Sequence, residues 1–329
     1  MARLLIIRFT AIGDVVMTAP VVHDLATQYP QLQITVLSKE RMAAYFANMP
    51  GNVSFRGVNL NSYKGLGGLF RLFRELRRED YDLVADFHDV IRSKVLRLLF
   101  RLSGKRVAHI RKGREEKKAL TVEGSGKKQL RTSFQRYADV LEKLGYPVQL
   151  TYKPEKKHHP SAAERWIGIA PFAAHAGKIY PLEKMKEVVT RLVASPSVSV
   201  FLFGGGKKEK EILEAWEALS PQVKSMVGKL SQQEELDLMS QLDAMISMDS
   251  ANMHMASLVG TPVLSIWGAT HPYAGFMGWG QSEENAVQVD LDCRPCSVFG
   301  NKPCKRGDYA CLNQITPALI VERLQRIIS

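Results

Sequence analysis

Apolar residues in this chain fall into short unbroken runs separated by amphipathic stretches. The runs are Leu4–Arg8, Gln33–Leu37, Tyr81–Phe87, Trp166–Ala170, Val198–Phe203, Ala244–Met248 and Val263–Trp267. Runs of four to seven residues without polar alternation predict strands of a parallel sheet buried on both faces. Helical spacing predicts helices over Val15–Gln28, Gly65–Asp80, Ile91–Leu102, Leu182–Ala194, Ala251–Val259 and Thr316–Ile328. Strand and helix alternating at this spacing point to doubly wound α/β sheets. The alternation stops at Lys153–Ser161 (KPEKKHHPS), reads there as an interdomain linker, and then restarts. Two domains are therefore expected, 1–155 and 156–329, with the terminal helix 316–328 reaching back toward the first. His158 and His159 are expected to be solvated in the linker.

In open α/β sheets, ligands bind beyond the carboxyl ends of strands, and helix N-termini there attract anions. Asp249-Ser250 follows the run Ala244–Met248 and precedes a helix closed by Gly260 and Pro262, with His254 one turn in. This turn is either a ligand site or an ordinary N-cap. Asp14, after Leu4–Arg8 and Gly13, is the second carboxylate so placed, and could equally be a first-turn acid favoured by the helix dipole. Gly204-Gly205-Gly206 does not fit a dinucleotide fingerprint and reads as a tight turn.

The helices Gly65–Asp80 and Ile91–Leu102 are rich in arginine. Basic amphipathic helices can lie on membranes, but the expected arrangement is packing on the sheet, with Leu66, Leu69, Phe70, Phe73 and Leu76 inward and arginines outward. The segment Arg111–Lys128, charged and glycine-rich, is expected to be a mobile loop able to close over an anionic substrate.

Composition narrows the class. The chain has 329 residues, 45% hydrophobic and 24% charged, which suits two globular domains. No apolar run approaches the ~18 residues of a membrane span, and the N-terminus lacks a signal peptide's continuous apolar region. A cytoplasmic protein, peripheral on the inner membrane at most, is expected. The net charge of +12 is one-sided: residues 1–155 hold 27 basic against 15 acidic side chains, and residues 156–329 hold 18 of each. Such asymmetry implies a polyanionic partner, whether nucleic acid, anionic membrane or phosphorylated substrate. All four cysteines, Cys293, Cys296, Cys304 and Cys311, cluster within nineteen residues. In a cytoplasmic chain they are a candidate structural Zn²⁺ site or a set of reduced, packed thiols.

Three segments together resemble glycosyltransferase family 9, the ADP-heptose:lipopolysaccharide heptosyltransferases. They are Arg8–Val15 (RFTAIGDV), His175–Pro181 (HAGKIYP) and Asp249–Ala256 (DSANMHMA), in matching order and separation. Ala251 stands where the family usually has glycine, and Tyr180 where it usually has tryptophan. The resemblance implies a GT-B fold, two Rossmann-like doubly wound domains facing across a cleft, and an inverting, metal-independent transfer. It implies Asp14 as general base and Lys178 as the cation that neutralises a diphosphate leaving group. Ser250, Ala251 and His254 would hold that diphosphate, with Asp249 shaping the turn or touching the sugar. The acceptor would be an anionic glycolipid at the inner membrane face, met by Thr10, Gly13, Arg111, Lys112 and Arg114. The donor would be a nucleotide-diphosphate-sugar, most simply ADP-heptose. Two other readings stand beside this one. A different GT-B-like enzyme, such as a sugar-nucleotide epimerase, would turn over donor without acceptor. A nucleic-acid-binding protein would use the basic half, although Arg111–Lys128 lacks the aromatic residues for base stacking.

Overall fold

The computed structural model describes residues 1–124, 126–161 and 163–329. The chain divides into two compact units, Met1–Lys112 with Ser133–Tyr152, and Gly113–Thr132 with Lys153–Ser329. The first runs β1 (Arg3–Ile7), α1 (Ile12–Val16), α2 (Thr18–Gln28), β2 (Gln33–Lys39), β3 (Val53–Val58), α3 (Gly65–Arg77), β4 (Leu83–Asp86), α4 (Ile91–Leu102) and β5 (Arg106–His109). After α5 (Arg114–Leu120), which belongs to the second unit, α6 (Ser133–Lys143) completes the first. The second unit continues with β6 (Arg165–Ala170), α7 (Leu182–Leu192), β7 (Val198–Leu202), α8 (Lys207–Trp216), β8 (Val223–Ser225), α9 (Gln232–Gln241) and β9 (Ala244–Met248). It ends with α10 (Ala251–Leu258), β10 (Val263–Ile266), β11 (Ala286–Val287), α11 (Ala310–Asn313) and α12 (Pro317–Ile328).

Each unit has one parallel sheet. The orders are β3-β2-β1-β4-β5 and β11-β10-β9-β6-β7-β8, and every pairing is parallel. Both are doubly wound, with the winding direction reversing between β1 and β4 in one and between β6 and β9 in the other. A crevice opens at such a reversal, because the connections on its two sides leave in opposite directions. The central strands are sealed from water: β9 is buried at all five positions and β1 at four of five. Their polar neighbours are thereby confined to the strand ends.

Several boundaries differ from the sequence reading for identifiable reasons. The expected helix Val15–Gln28 is two helices, broken at Met17. Pro20 has no N–H to give a continuous helix, but is harmless in the first turn of α2. On α3 the buried stripe is Leu69, Leu72, Phe73 and Leu76, leaving Leu66 and Phe70 outside. The segment expected as a mobile loop contains α5, whose Lys117 is buried over the Phe276 ring at 4.0 Å. Lys127 pairs with Asp290, and Leu130 N donates to Tyr273 O at 2.9 Å. Ser125, within that segment, lies outside the described residues. Of the expected linker, Lys157 pairs with Asp237 at 2.9 Å. His159, far from solvated, stacks on Trp166 and lies 3.0 Å from Asp243 Oδ2. Helix α12 gives Ile320 and Leu324 to the second unit's own core.

Helix α9 carries one misplaced charge. Ser231 and Glu234 cap its N-terminus reciprocally, whereas Glu235, part-buried and without a side-chain partner among the described residues, has its carboxyl pushed up from 4.5 to about 7 by burial. The unfolded chain releases this proton near 4.5 while the folded unit holds it, so stability falls as pH rises from 4.5 to about 7. Glu235→Gln should flatten that slope and add about 1 kcal/mol at pH 8, partial exposure reducing the full linkage value. Urea unfolding at pH 5 and pH 8 measures both, and parallel slopes for the two proteins would contradict the assignment.

Candidate functional site

In the first unit, β1 delivers Arg8 to the β1/β4 reversal. Arg8 is buried; one guanidinium nitrogen donates to Phe87 O at 2.6 Å and the other meets Asp14 Oδ2 at 2.6 Å. Asp14 also accepts from Ala11 N at 3.2 Å, and its backbone carbonyl accepts from Tyr137 Oη. The carboxylate is thus held by Arg8 while its side chain stays 36% exposed.

Across the reversal, β4 ends in Asp86, fully buried, which accepts from the amides of His88 and Asp89 at 2.9 Å and pairs with Arg97 at 3.1 Å. This turn holds His88 with Nε2 3.2 Å from Thr10 Oγ1, two residues before α1, which carries Gly13 and Asp14. Burial first, and then the Arg8 charge, pushes the His88 imidazole down to about 3, so it is neutral at physiological pH. Lys112 Nζ donates to Asp89 O at 3.3 Å and joins this edge. Arg111 is exposed, its carbonyl accepting from Arg136. Arg114 is exposed at the start of α5, in the second unit.

In the second unit, β9 ends at the buried Asp249. Its Oδ2 accepts from Thr270 Oγ1 at 2.9 Å and meets Lys178 Nζ at 3.1 Å, with the lysine side chain 15% exposed. Asp249 is therefore turned away from capping. Ser250 occupies the N-cap position of α10, but its hydroxyl makes no cap bond and lies 3.2 Å from Ser247 Oγ. Compare α12, where the Thr316 hydroxyl accepts from Leu319 N at 3.2 Å. The expected N-cap bond is not made, and among the described residues the first-turn amides, beginning at Ala251, have no side-chain acceptor. Groups so aimed, beside a lysine ammonium, suit an anion. His254 is buried one turn further along.

Glycines fix the lysine's approach. Gly177 O accepts from Ala269 N at 2.8 Å, and a Cβ on Gly268 would stand 2.5 Å from that carbonyl oxygen. A Cβ on Gly300 would meet the Lys178 stem at 2.5 Å. Three chain segments pass too closely here for any side chain, and Lys178 is held between them. Tyr180 is fully buried and donates to Ile315 O at 2.9 Å, which makes it a core residue. Gly204–Gly206 is closed by its own helix, since Gly205 N donates to Glu209 Oε2 at 2.7 Å.

The four cysteines are free and line one pocket of about 20 Å³ with Arg294. Burial raises the Cys296 thiol and pushes that of Cys311 up to about 11. Among the described residues no three His, Cys, Asp or Glu side chains form a group that would hold a metal ion.

Sequence reasoning reached Asp14, Lys178 and the Asp249 turn but missed Asp86, His88 and Arg97. Their one signal was the run DFHD at the end of a strand. It becomes informative only once β4 is known to lie beside β1.

Residues 69–305 match the family model described as glycosyltransferase family 9 (heptosyltransferase). Over 359 positions the chain is 25% identical to lipooligosaccharide heptosyltransferase 2 of Haemophilus influenzae, covering 99% of each protein. Its fold is similar to that of E. coli ADP-heptose lps heptosyltransferase II, at a TM-score of 0.73 and 19% identity over 100% of this chain and 98% of that one. It is also similar to E. coli heptosyltransferase WaaC with ADP, at 0.71 and 17% identity over 99% of each. The two parallel Rossmann-like sheets are those of the GT-B fold, and with the family match they settle the class: this chain is a glycosyltransferase and belongs to family 9, the heptosyltransferases.

Proposed function

We propose that the protein transfers a heptose from ADP-heptose to an anionic glycolipid of the lipopolysaccharide core, with inversion at the anomeric carbon. The observation that carries this reading is the pairing of chemistries at the two sheet reversals. One ends in a part-exposed carboxylate held by Arg8. The other ends in a lysine beside an uncapped helix N-terminus. The donor in this reading follows the similar proteins, an ADP-heptose heptosyltransferase and a heptosyltransferase with ADP.

In this reading Asp14 takes the proton from the acceptor hydroxyl as its oxygen attacks the anomeric carbon, which is work for a carboxylate. The bond to the diphosphate breaks on the opposite side, and electrons collect on the leaving oxygen. Lys178 and the amides at Ser250 and Ala251 meet that charge, with His254 beside them; preoriented donors of this kind need no reorganisation as the charge develops. Asp249 keeps the ammonium in place before the donor arrives. Thr10, Gly13 and Lys112 contact the acceptor around Asp14, and Arg111 extends that basic edge. The protein works at the inner face of the membrane, where such an acceptor lies. An epimerase would need no acceptor-side base, and the part-exposed Asp14 carboxylate favours transfer.

Asp14→Asn should lower kcat by about 100- to 10,000-fold with little change in ADP affinity, because the base acts on the acceptor. Near-wild-type turnover by a folded variant would remove Asp14 from the role. Lys178→Ala should weaken ADP binding by about 10- to 100-fold, the worth of a charge-assisted hydrogen bond, and leave adenosine binding nearly unchanged. Calorimetric titration with both ligands reads this directly; equal losses would make Lys178 a structural residue. Turnover should also persist in excess EDTA, since lysine and amides supply the positive charge. Loss of activity restored by a divalent cation would overturn the metal-independent reading.

A further inference from the structure

Eight large apolar side chains are exposed among the described residues, and five of them lie on two adjacent helices of the first unit. They are Leu66 (72% exposed) and Phe70 (50%) on α3, and Ile91 (79%), Leu98 (54%) and Leu102 (76%) on α4. The helices touch through Phe73 and Phe100, whose rings meet edge-on at 5.1 Å. At ~100° per residue, Ile91, Leu98 and Leu102 fall close together on the side of α4 opposite its buried Ser93, Leu96 and Phe100. Leu66 and Phe70 are one turn apart on α3. Single exposed leucines need no explanation, but a shared outer face built of five does.

The charges on this face have one sign. Arg74, Arg77 and Arg78 are exposed on or just after α3, and Arg92 and Arg101 on α4; none has an ion-pair partner among the described residues. Helix α4 contains no acidic residue, and the only one on α3, Glu75, is taken by the Tyr63 hydroxyl at 2.7 Å. Large apolar groups alternating with unpaired guanidinium groups match the boundary between anionic headgroups and acyl chains. They match a second copy of the chain poorly, because self-association would bring these arginines together without counter-charge. Phe70 alone among the five could stack on a base, which argues against nucleic acid.

We infer that the outer face of α3 and α4 docks the protein on an anionic bilayer, with Leu66, Phe70, Ile91, Leu98 and Leu102 entering the interface and the arginines meeting lipid phosphates. This goes beyond the transfer reaction, since none of these side chains belongs to the groups proposed to react or to bind donor. Docking through this face would place the acceptor-binding unit, rather than the donor-binding one, against the lipid.

The test is co-sedimentation of the full-length chain with vesicles of phosphatidylcholine alone and of phosphatidylcholine with phosphatidylglycerol. Wild type should partition onto the anionic vesicles, less so as salt rises. Leu98→Ser with Leu102→Ser, which changes no charge, should lower partitioning at least tenfold, as should Arg74→Gln with Arg77→Gln and Arg101→Gln. Val122→Ser and Phe299→Ser, at exposed apolar positions elsewhere, should leave it unchanged. All substituted side chains are exposed, so thermal unfolding should match wild type; with a soluble acceptor, so should turnover. Partitioning that responds to salt but not to the leucine changes would overturn the proposal in favour of a diffuse field. So would a leucine variant that loses an oligomeric state and still binds vesicles, or a wild type that ignores anionic vesicles at low salt. Failure of the transfer reading would appear separately, as absent turnover of a soluble acceptor.

Discussion

Parallel pairing is the constraint on which the rest depends. A strand buried on both faces can carry almost nothing polar, so chemistry is expelled to its ends, and parallel strands expel it to the same edge. In both sheets the winding reverses between two central strands, and at each reversal two loops part instead of covering one another. Arg8, Asp14 and His88 collect at one such edge, and Lys178, Asp249 and Thr270 at the other. The site is a by-product of how apolar strands must be arranged, later given specific residues.

The two edges solve the problem of a half-buried charge differently. In the first unit a buried arginine orients a carboxylate that stays part-exposed. In the second, a buried carboxylate orients an ammonium, and the threonine hydroxyl takes up part of its remaining capacity. Lys178 already has a partner in Asp249. In the proposed role a diphosphate would share this one cation with Asp249, and only the difference between the two partnerships would contribute to affinity.

The strands carrying the site were legible because they are apolar without interruption, and Asp14, Lys178 and Asp249 because each follows such a run within a few residues. What stayed hidden depends on who neighbours whom. Asp86 and His88 matter because β4 pairs with β1, a fact that no local pattern in DFHD contains. Ser250 sits where a cap residue should, yet its rotamer sends the hydroxyl to Ser247, leaving amides open that composition would have counted as closed. The arginine-bearing helices were recognised as amphipathic, but periodicity could not say how wide the covered stripe is. Leu72, not Leu66 or Phe70, completes it, and the remainder faces outward. Lys153–Ser161 looked like a linker because it lacks apolar residues; it is held instead by ion pairs and by a ring stacked on Trp166.

The segment 113–132 has a consequence for any attempt to take the protein apart. Because it belongs to the second unit while lying inside the first in sequence, neither unit is a contiguous stretch of the gene. A cut near residue 155 would leave an amino-terminal fragment trailing α5 with no Phe276 ring for Lys117. The carboxyl-terminal fragment would lack the strand of chain that bonds to Tyr273 and the lysine that pairs with Asp290. Dissection into the two units therefore calls for two breaks and a splice, with Lys112 joined to Ser133 and the excised piece grafted onto its true owner.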